Sequence, residues 1–585
     1  MVRIAIISEK DTERTHAVEL LVDENESLYK ALVKASLAVE APCGGNGTCG
    51  KCLVKVEGVG EVRSCHTMPF EGMCVVLPEI KGENPGVMVD GVSANSEIKP
   101  SVRAVHVSLE KPSLNDQRSD LCRIEDATGA RVKDLSLMAY ITPYIRENNF
   151  EATAIISGDE IIDIKNNSSI YGAAVDIGTT TVGVKLISLA DGKTVGVKGA
   201  LNVQRSMGAD VITRIEAART PYGREMLPKE IRGQINDMLT SLCEENGISI
   251  NDIYDIVCVG NTTMIAMLLG LDATNIAASP FIPPVLRGIT VKSGDLGIRM
   301  GRGATLRTLD MISAYVGADT FGCMLACGMD KSRELSLMID IGTNGELLLG
   351  CSDKIISCST AAGPAFEGAH IDFGMGGVAG AIDNVIIDDD VHCTTIGNEA
   401  ACGICGSGIV DAVSELLRIG VIDQSGRMCT ADEVALPQSI VRRMVEYNNI
   451  PAFLLMSEEE GAKRDVYVTQ KDVREIQLAK SAIASGIMVM ADEYGCSVSQ
   501  IKRLYLAGGF GNYINIENAC KIGLLPMVLK DVISPVGNAA LQGAVDALLN
   551  KDVVNRAQGI RGNIKYVELS ARYDFQDYFI DNMEF

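Results

Sequence analysis

The chain has 585 residues, several times the usual domain length of about 100–200, so we expect more than one hydrophobic core. Its 47% hydrophobic and 22% charged residues argue against long disordered tracts, and its 18 mostly scattered cysteines suit a reducing compartment. The net charge of -23, the absence of about 18 consecutive apolar residues and the quickly polar N terminus predict a cytoplasmic protein without nucleic-acid or membrane partners.

The first elements along the chain are two strands and a helix. Apolar residues alternate in Val18–Val22 and recur through Val2–Ile7, which together suggest a hairpin. Ser27–Ala38 then has helical periodicity. Strand, strand, helix and a cysteine-rich loop follow one another in the order of a ferredoxin domain.

Four cysteines follow with the spacing C-x5-C-x2-C-x12-C. Cys43, Cys49 and Cys52 share a glycine-rich loop that can wrap a cluster closely, and Cys65 comes from a later segment. Plant-type [2Fe-2S] ferredoxins are ligated in this way, so we expect these four thiolates to bind a [2Fe-2S] cluster. The x5 gap is one residue longer than the plant spacing and the x12 interval is short, so Cys74 is the fallback fourth ligand.

A zinc site is the alternative for this cluster of cysteines, because four thiolates also satisfy tetrahedral zinc. Paired zinc knuckles prefer two separated C-x2-C units to a glycine-rich loop with three cysteines. The ferredoxin interpretation is therefore favoured.

Two segments 164 positions apart look alike, and both contain Asp-Ile-Gly-Thr. They read Ala173-Ala-Val-Asp-Ile-Gly-Thr-Thr-Thr-Val-Gly-Val and Leu337-Met-Ile-Asp-Ile-Gly-Thr-Asn-Gly-Glu-Leu-Leu. Each predicts a buried strand, a tight polar turn and a second strand. Such turns can hold phosphate through glycine backbone, amides and hydroxyls, and the leading acids Asp176 and Asp340 can hold hydrated magnesium. The predicted nucleotide-binding residues are Gly178, Thr179, Thr180, Thr181, Gly342, Thr343, Asn344 and Gly345.

Each half contributes a second related element, an apolar strand that runs into a turn of small residues. These are Ile256-Val-Cys-Val-Gly-Asn-Thr-Thr and Leu504-Tyr-Leu-Ala-Gly-Gly-Phe-Gly-Asn. Such junctions present helix N-terminal amides to a ligand. With the two hairpins, the pattern resembles the acetate and sugar kinase, Hsp70 and actin superfamily. The resemblance implies that ATP lies between the halves, with Gly508, Gly509 and Phe510 flanking adenosine.

Further strings sharpen the resemblance. They are Asn202-Val-Gln-Arg-Ser-Met-Gly-Ala-Asp-Val, Val259-Gly-Asn-Thr-Thr-Met, Ser359-Thr-Ala-Ala-Gly-Pro-Ala-Phe-Glu-Gly, Gly403-Ile-Cys-Gly-Ser-Gly-Ile-Val-Asp, Thr469-Gln-Lys-Asp-Val-Arg-Glu-Ile-Gln-Leu-Ala-Lys and Val536-Gly-Asn-Ala-Ala-Leu. With the cysteine cluster they resemble the reductive activators of corrinoid-dependent methyltransferases and of the corrinoid iron-sulfur protein, over nearly the whole chain. Some relatives carry extra C-terminal cysteine repeats, but none follows Cys520 here, so no second cluster is expected.

This resemblance implies an α/β multidomain fold. A β-grasp ferredoxin-like domain would span residues 1–82, a linker 83–103, a small α+β middle domain 104–169, and a duplicated actin-like, ribonuclease H-like ATPase domain 170–585. Its implied cofactors are a [2Fe-2S] cluster, ATP and Mg2+. Its implied partners are an upstream electron donor and the Co(II) corrinoid protein of a methyltransferase system, which the chain would return to Co(I). No residue pattern decides the oligomeric state, for which a homodimer is one option.

The family activity also explains why these parts belong together. Co(I) is strongly reducing, so a plant-type cluster near about -400 mV would face an uphill transfer. Each ~59 mV corresponds to about 1.4 kcal/mol for one electron, so one or two such steps lie within what a nucleotide-driven cycle could supply.

Among the acids, Asp176 and Asp340 are the predicted catalytic residues of the ATPase, on the superfamily pattern of one acid per hairpin. Glu346 could orient the attacking water or be an exposed hairpin glutamate. Glu367, the polar residue of the turn Ala362-Gly-Pro-Ala-Phe-Glu-Gly, could be structural or lie at a partner interface.

Three rival functions remain open from the sequence. An activator of a radical dehydratase combines the same ATPase fold with an iron-sulfur centre, but that centre is a [4Fe-4S] cluster bridging a dimer. A small-molecule kinase with a fused redox sensor would need a substrate domain, which we do not find. A plain electron carrier with a regulatory ATP site would not need hydrolysis for turnover.

Overall fold

The structure is a computed structural model that describes residues 1–8, 18–34, 52–77, 90–93, 97–208, 210–342, 344–368, 370–511 and 513–585. The predicted cluster ligands Cys43 and Cys49 and the predicted phosphate contact Thr343 lie outside the described residues. Of the helices in these ranges, none has both the length and the apolar content that a membrane span requires.

The N-terminal residues form a five-stranded sheet with one helix against it. The sheet order is β2-β1-β5-β3-β4, and the first strand pairs antiparallel with the second and parallel with the fifth. The predicted hairpin and β-grasp fold are thereby confirmed, and the described part of the predicted helix begins at Leu28. The elements are β1 Val2–Ser8, β2 Val18–Val22, α1 Leu28–Lys34, β3 Leu53–Val56, β4 Gly60–Arg63 and β5 Met73–Leu77.

A small α+β unit follows, in which two helices pack on a four-stranded sheet around a core that includes Ile124 and Ile141. Side chains of Ser119 and Asp134 cap the two helices, each accepting a bond from a first-turn amide. Its first strand starts two residues before the predicted boundary at 104. The elements are β6 Val102–Ser108, α2 Asp120–Thr128, β7 Arg131–Val132, α3 Leu135–Glu147, β8 Glu151–Ser157 and β9 Glu160–Lys165.

The next unit is a six-stranded sheet with the order β12-β11-β10-β13-β15-β14. The strand that carries Asp176 pairs antiparallel with its hairpin partner and parallel with the strand that ends at Gly260. The elements are β10 Tyr171–Ile177, β11 Thr181–Ser188, β12 Thr194–Leu201, α4 Val211–Ala218, α5 Pro221–Asn246, β13 Ile253–Gly260, α6 Thr262–Leu269, β14 Thr290–Lys292, β15 Thr305–Thr308 and α7 Ala318–Cys327.

A second six-stranded sheet, β26-β25-β16-β17-β18-β27, repeats this pattern. The strand that carries Asp340 pairs antiparallel with its hairpin partner and parallel with the strand that ends at Ala507. The predicted duplication is confirmed. Two three-stranded sheets, β20-β19-β21 and β22-β23-β24, are inserted in this half.

The elements of the second half are β16 Ser336–Ile341, β17 Gly345–Cys351, β18 Lys354–Thr360, β19 Ala381–Ile387, β20 Val391–Thr395, β21 Gly403–Ile404, α8 Gly406–Arg418, α9 Gln438–Val441, β22 Met444–Tyr447, β23 Ile450–Met456, β24 Val466–Thr469, α10 Gln470–Tyr494, β25 Arg503–Ala507, α11 Gly508–Gly511, α12 Ile516–Lys521, β26 Ile533–Gly537, α13 Ala539–Leu549, α14 Lys551–Arg561, β27 Ile564–Tyr566 and α15 Tyr573–Asp581. Helix α13 returns to the first half and shares its apolar core with α7.

Candidate functional site

Two predicted cluster ligands lie side by side in the N-terminal domain. Cys52 immediately precedes β3 and is fully buried, and Cys65 lies in the 3-10 helix Ser64–His66 that follows β4. Their Sγ atoms are 3.1 Å apart, and the two cysteines do not form a disulfide with each other. Ser64 fixes this arrangement, because its amide and its hydroxyl both donate to the Cys52 carbonyl, at 2.8 and 2.9 Å.

The fallback ligand Cys74 has a different position. It lies on β5 between Met73 and Val75, and both neighbours are buried in the core of this domain. Because side chains alternate along a strand, the Cys74 side chain faces the opposite side of the sheet from that core. Cys52 belongs to the core and Cys65 packs against it, so the geometry favours Cys65 over Cys74 as the fourth ligand.

The first phosphate hairpin lies at the end of β10, and other side chains hold its turn from behind. The Asn202 side-chain amide donates to the Gly178 carbonyl at 2.8 Å, and its backbone amide donates to the Thr180 carbonyl at 2.9 Å. The guanidinium of Arg214 donates to the Thr179 carbonyl. These bonds fix the turn through its carbonyl groups. Thr181 begins β11.

The second hairpin lies at the end of β16, and its turn is closed by a bond of 3.0 Å from the Gly342 amide to the Asn344 carbonyl. Gly345 begins β17, and its carbonyl accepts a bond from Thr360 Oγ1 at 3.1 Å. Gly508 lies against this hairpin with φ +88°. A Cβ atom there would lie 2.7 Å from Oδ1 of Asp340, so only glycine allows this turn to approach the carboxylate.

The hairpins bring a group of carboxyl groups into electrostatic contact. Burial and the nearby charge of Asp319 raise the pKa of Asp340 to about 7. Burial also raises the pKa of Asp176 to about 7, although a 2.9 Å hydrogen bond from the Asn538 side chain opposes this shift. Glu346 pairs with Asp340 across the hairpin and is not exposed, so it lies among these acids. Burial and the neighbouring carboxylates raise its pKa well above the usual range.

Two further acids belong to this group, and the sequence analysis gave neither a catalytic role. Asp319 lies in the first turn of α7, and burial raises its pKa. Glu367 ends the 3-10 helix Pro364–Glu367 of the second half and accepts a 3.3 Å bond from Thr180 Oγ1 of the first hairpin. Glu367 therefore faces the space between the halves. Asp319 lies in no repeated motif, whereas the polarity of Glu367 in an otherwise apolar turn was a signal.

The predicted adenosine turn is connected to the same region. Phe510 stacks on Phe366, with ring centroids 4.8 Å apart and planes inclined by 20°. Phe366 immediately precedes Glu367, so the turn at 508–510 is packed against the segment that reaches the first hairpin. Gly509, between Gly508 and Phe510, is exposed, and a Cβ atom at this position would meet no other atom within 4 Å.

These residues fit the groups that the sequence predicts. Mg2+ is commonly held by one or two carboxylates together with phosphates and waters, which Asp176 and Asp340 can supply beside two phosphate turns. Two adjacent thiols beside an apolar core suit an iron-sulfur cluster. Within the described ranges no three His, Cys, Asp or Glu side chains form a ready metal site, and two of the four predicted cluster ligands lie outside those ranges.

Family models cover most of the chain. Residues 18–78 match a 2Fe-2S iron-sulfur cluster binding domain, 92–169 the RACo linker region, 171–332 the RACo middle region, and 334–585 the C-terminal domain of RACo, the ASKHA domain. ASKHA denotes the acetate and sugar kinase, Hsp70 and actin superfamily. The chain belongs to the RACo family. The family match confirms the ferredoxin-type domain, its [2Fe-2S] cluster and the ASKHA ATPase fold.

Similarity to individual proteins supports the assignment to the RACo family. The chain is 32% identical to the corrinoid activation enzyme RamQ of Eubacterium limosum, over 97% of each chain. It is 23% identical to a [Co(II) methylated amine-specific corrinoid protein] reductase of Methanosarcina barkeri, over 71% of this chain and 77% of the relative. A solved structure titled reductive activator for corrinoid, iron-sulfur protein is 32% identical, with a TM-score of 0.77 and coverage of 100% of this chain and 98% of the other.

Proposed function

We propose that this chain is an ATP-dependent reductive activator, which transfers an electron from its [2Fe-2S] cluster to the Co(II) corrinoid of a partner methyltransferase corrinoid protein and restores Co(I). The observation that carries the proposal is the combination in one chain of paired cysteine thiols and two facing phosphate hairpins. The full-length similarity to corrinoid activators supports it. The protein acts in the cytoplasm, receives electrons from an upstream donor, and hydrolyses ATP.

In the N-terminal domain, Cys43, Cys49, Cys52 and Cys65 are the proposed cluster ligands. When bound there, the cluster supplies one-electron chemistry. The chain contributes the positions of the thiols: Ser64 ties the Cys65 helix to the backbone of Cys52, and the sheet core excludes water from the Cys52 side.

In the ATPase domain, Asp340 and Asp176 would hold Mg2+, and the two hairpin turns would bind phosphates. The turn at Gly508, Gly509 and Phe510 borders adenosine. Glu367 lies against the Thr180 hydroxyl, and Glu346 lies beside Asp340, so each can accept a hydrogen bond from the attacking water. Nucleotide held by both turns would favour closure of the two halves, and this closure would supply the conformational step of the activator.

The proposal is tested by anaerobic reduction of a Co(II) corrinoid protein. The reduced activator is mixed with the partner, and the Co(I) absorption band is followed with and without Mg-ATP. We expect Co(I) to appear with Mg-ATP and to be lost in both Cys49→Ser and Asp340→Ala. Phosphate release without a small-molecule acceptor separates this activity from that of a kinase. An intact cluster that yields no Co(I) with a matched partner would contradict the proposal.

The cluster ligands are tested by comparing Cys65→Ser with Cys74→Ser. We expect Cys65→Ser to lower the iron content and the visible absorption of the purified protein, and Cys74→Ser to leave both unchanged. Equal losses in the two variants, or a loss in Cys74→Ser alone, would contradict the assignment of the fourth ligand.

A further inference from the structure

A tyrosine of the ferredoxin-like domain contacts the ATPase domain. Tyr29 lies on α1 and is only 4% exposed, and its hydroxyl donates to the carbonyl of Ser206 at 2.7 Å. The preceding residue, Leu28, donates its amide to the Thr67 carbonyl at 2.7 Å, directly after the 3-10 helix of Cys65. The contact therefore connects the immediate surroundings of the cluster to the first half of the ATPase.

Ser206 ends a short segment that reaches the phosphate turn. It is the last residue of the 3-10 helix Val203–Ser206, and its hydroxyl donates to the Val203 carbonyl at 2.9 Å. Asn202 caps the start of this helix and is 1% exposed. The same Asn202 holds the Gly178 and Thr180 carbonyls of the first hairpin, so the contact with Tyr29 and the contact with the phosphate turn are only four positions apart in the chain.

The other end of the segment is attached to the same turn. The fully buried Arg214 donates from Nε to the Gly208 carbonyl at 2.7 Å and from Nη2 to the Thr179 carbonyl. The segment 202–214 is thus bonded to the turn at both ends. A displacement of Ser206 would therefore shift Asn202 and Arg214, whose hydrogen bonds hold the turn.

We propose that Tyr29 is a positioning residue for the nucleotide: by holding Ser206, it keeps segment 202–214 in the arrangement in which Asn202 and Arg214 orient the first phosphate turn. Docking of the ferredoxin-like domain and binding of ATP then favour each other, and by linkage each changes the other by the same factor. The inference rests on the proposed nucleotide site and is independent of the corrinoid partner.

Two states follow from this coupling. With nucleotide phosphate on the first turn, the ferredoxin-like domain is held on the ATPase through Tyr29. After phosphate leaves, the turn no longer favours this arrangement, and the domain that carries the cluster is released.

The first test is Tyr29→Phe in the full chain, with binding of a non-hydrolysable Mg-ATP analogue measured by calorimetry. One hydrogen bond contributes about 1 kcal/mol, so we expect the Kd to rise by up to about five-fold. The visible spectrum of the cluster should not change, which shows that the domain remains folded. Tyr573→Phe, which alters an 87% exposed tyrosine on α15, is the matched control and should bind as the wild type does. A wild-type Kd in Tyr29→Phe would overturn the proposal.

The second test compares hydrogen exchange in the wild-type protein and in Tyr29→Phe. Hydrogen exchange of residues 28–34 and 203–208 is followed by mass spectrometry with and without the same analogue. We expect nucleotide to slow exchange in both segments of the wild-type protein and to do so less in Tyr29→Phe. Unchanged exchange in 28–34 at saturating nucleotide would overturn the coupling. Failure to reduce a corrinoid protein would affect neither result, so the two proposals fail separately.

Discussion

The two predicted phosphate hairpins share the Asp-Ile-Gly-Thr motif and their strand pairing but differ in what surrounds them. Another segment holds the carbonyls of the first turn: Asn202 donates its side-chain amide to Gly178 and its backbone amide to Thr180. The second turn is closed by its own backbone, and its acid Asp340 is approached by the glycine turn at Gly508. The duplication therefore preserved the hairpin, while the two halves diverged in the elements packed behind it.

This difference indicates a division of roles. The first hairpin is hydrogen-bonded to a segment that contacts the ferredoxin-like domain. It can therefore couple the presence of nucleotide to the docking of that domain. The second lies among Asp319, Glu346 and Asp340, whose mutual repulsion a divalent cation would relieve, so it suits Mg2+ and water. Changes on the two sides should therefore have different consequences.

The largest effect is expected at the second hairpin. Asp340→Asn removes the charge that we assign to Mg2+, and loss of metal-assisted charge stabilisation should lower the ATP hydrolysis rate by about 100-fold or more. Phosphate release at saturating Mg-ATP measures this. Asp353→Asn, in the exposed turn after β17, is the control and should keep the wild-type rate. A loss of less than about ten-fold in Asp340→Asn would contradict the assignment.

A substitution behind the first hairpin should instead lower the stability of the folded protein. Arg214→Met removes a fully buried guanidinium and leaves the Thr179 and Gly208 carbonyls without their donor, which should lower the free energy of unfolding by about 3 kcal/mol. Thermal unfolding followed by circular dichroism would show the lower Tm. Arg219→Met, at an exposed position on the end of α4, is the control. Equal Tm values for the two variants would show that Arg214 does not support the turn.

The close contact between the predicted adenosine turn and the second hairpin can be tested by substituting two glycines. Gly508→Ala places a Cβ atom against the Asp340 carboxylate and should weaken nucleotide binding by about ten-fold. Gly495→Ala has the same backbone strain, with φ +87°, but open space around it. Both should lose about 1 kcal/mol of stability from the positive φ, and only Gly508→Ala should lose affinity in calorimetry. A loss of nucleotide affinity in both variants would show that the effect comes from lower overall stability and not from the contact with Asp340.

A further prediction concerns pH. Burial raises the pKa of Asp340 to about 7, above its usual value near 4, so between these values the folded protein binds more protons than the unfolded chain. The free energy of unfolding therefore falls as pH rises from about 4 to 7. Without nucleotide, Asp340→Asn should have a higher Tm than the wild type at pH 8, and this advantage should disappear towards pH 5. An advantage that is constant with pH would contradict the raised pKa.

The sequence predicted those parts of the site that carry local patterns. Cysteine spacing indicated the cluster domain, and the repeated Asp-Ile-Gly-Thr indicated both hairpins, because these chemistries need residues close together in the chain. Asp319 and Asn538 reach the same region on α7 and at the start of α13, and only the packing of those helices brings them there. The preference for Cys65 over Cys74 could have been predicted from the sequence. Met73 and Val75 are apolar and alternate with Cys74 along a strand, so Cys74 faces away from the core.

The most direct test of the account is a single-turnover experiment followed by freeze-quench electron paramagnetic resonance. The reduced activator, freed of excess reductant, is mixed with a Co(II) corrinoid protein, with or without Mg-ATP. The account predicts that the reduced [2Fe-2S] signal and the Co(II) signal decrease together, one spin for one, and only when Mg-ATP is present. Loss of Co(II) with an unchanged iron-sulfur signal, or equal loss without nucleotide, would contradict it.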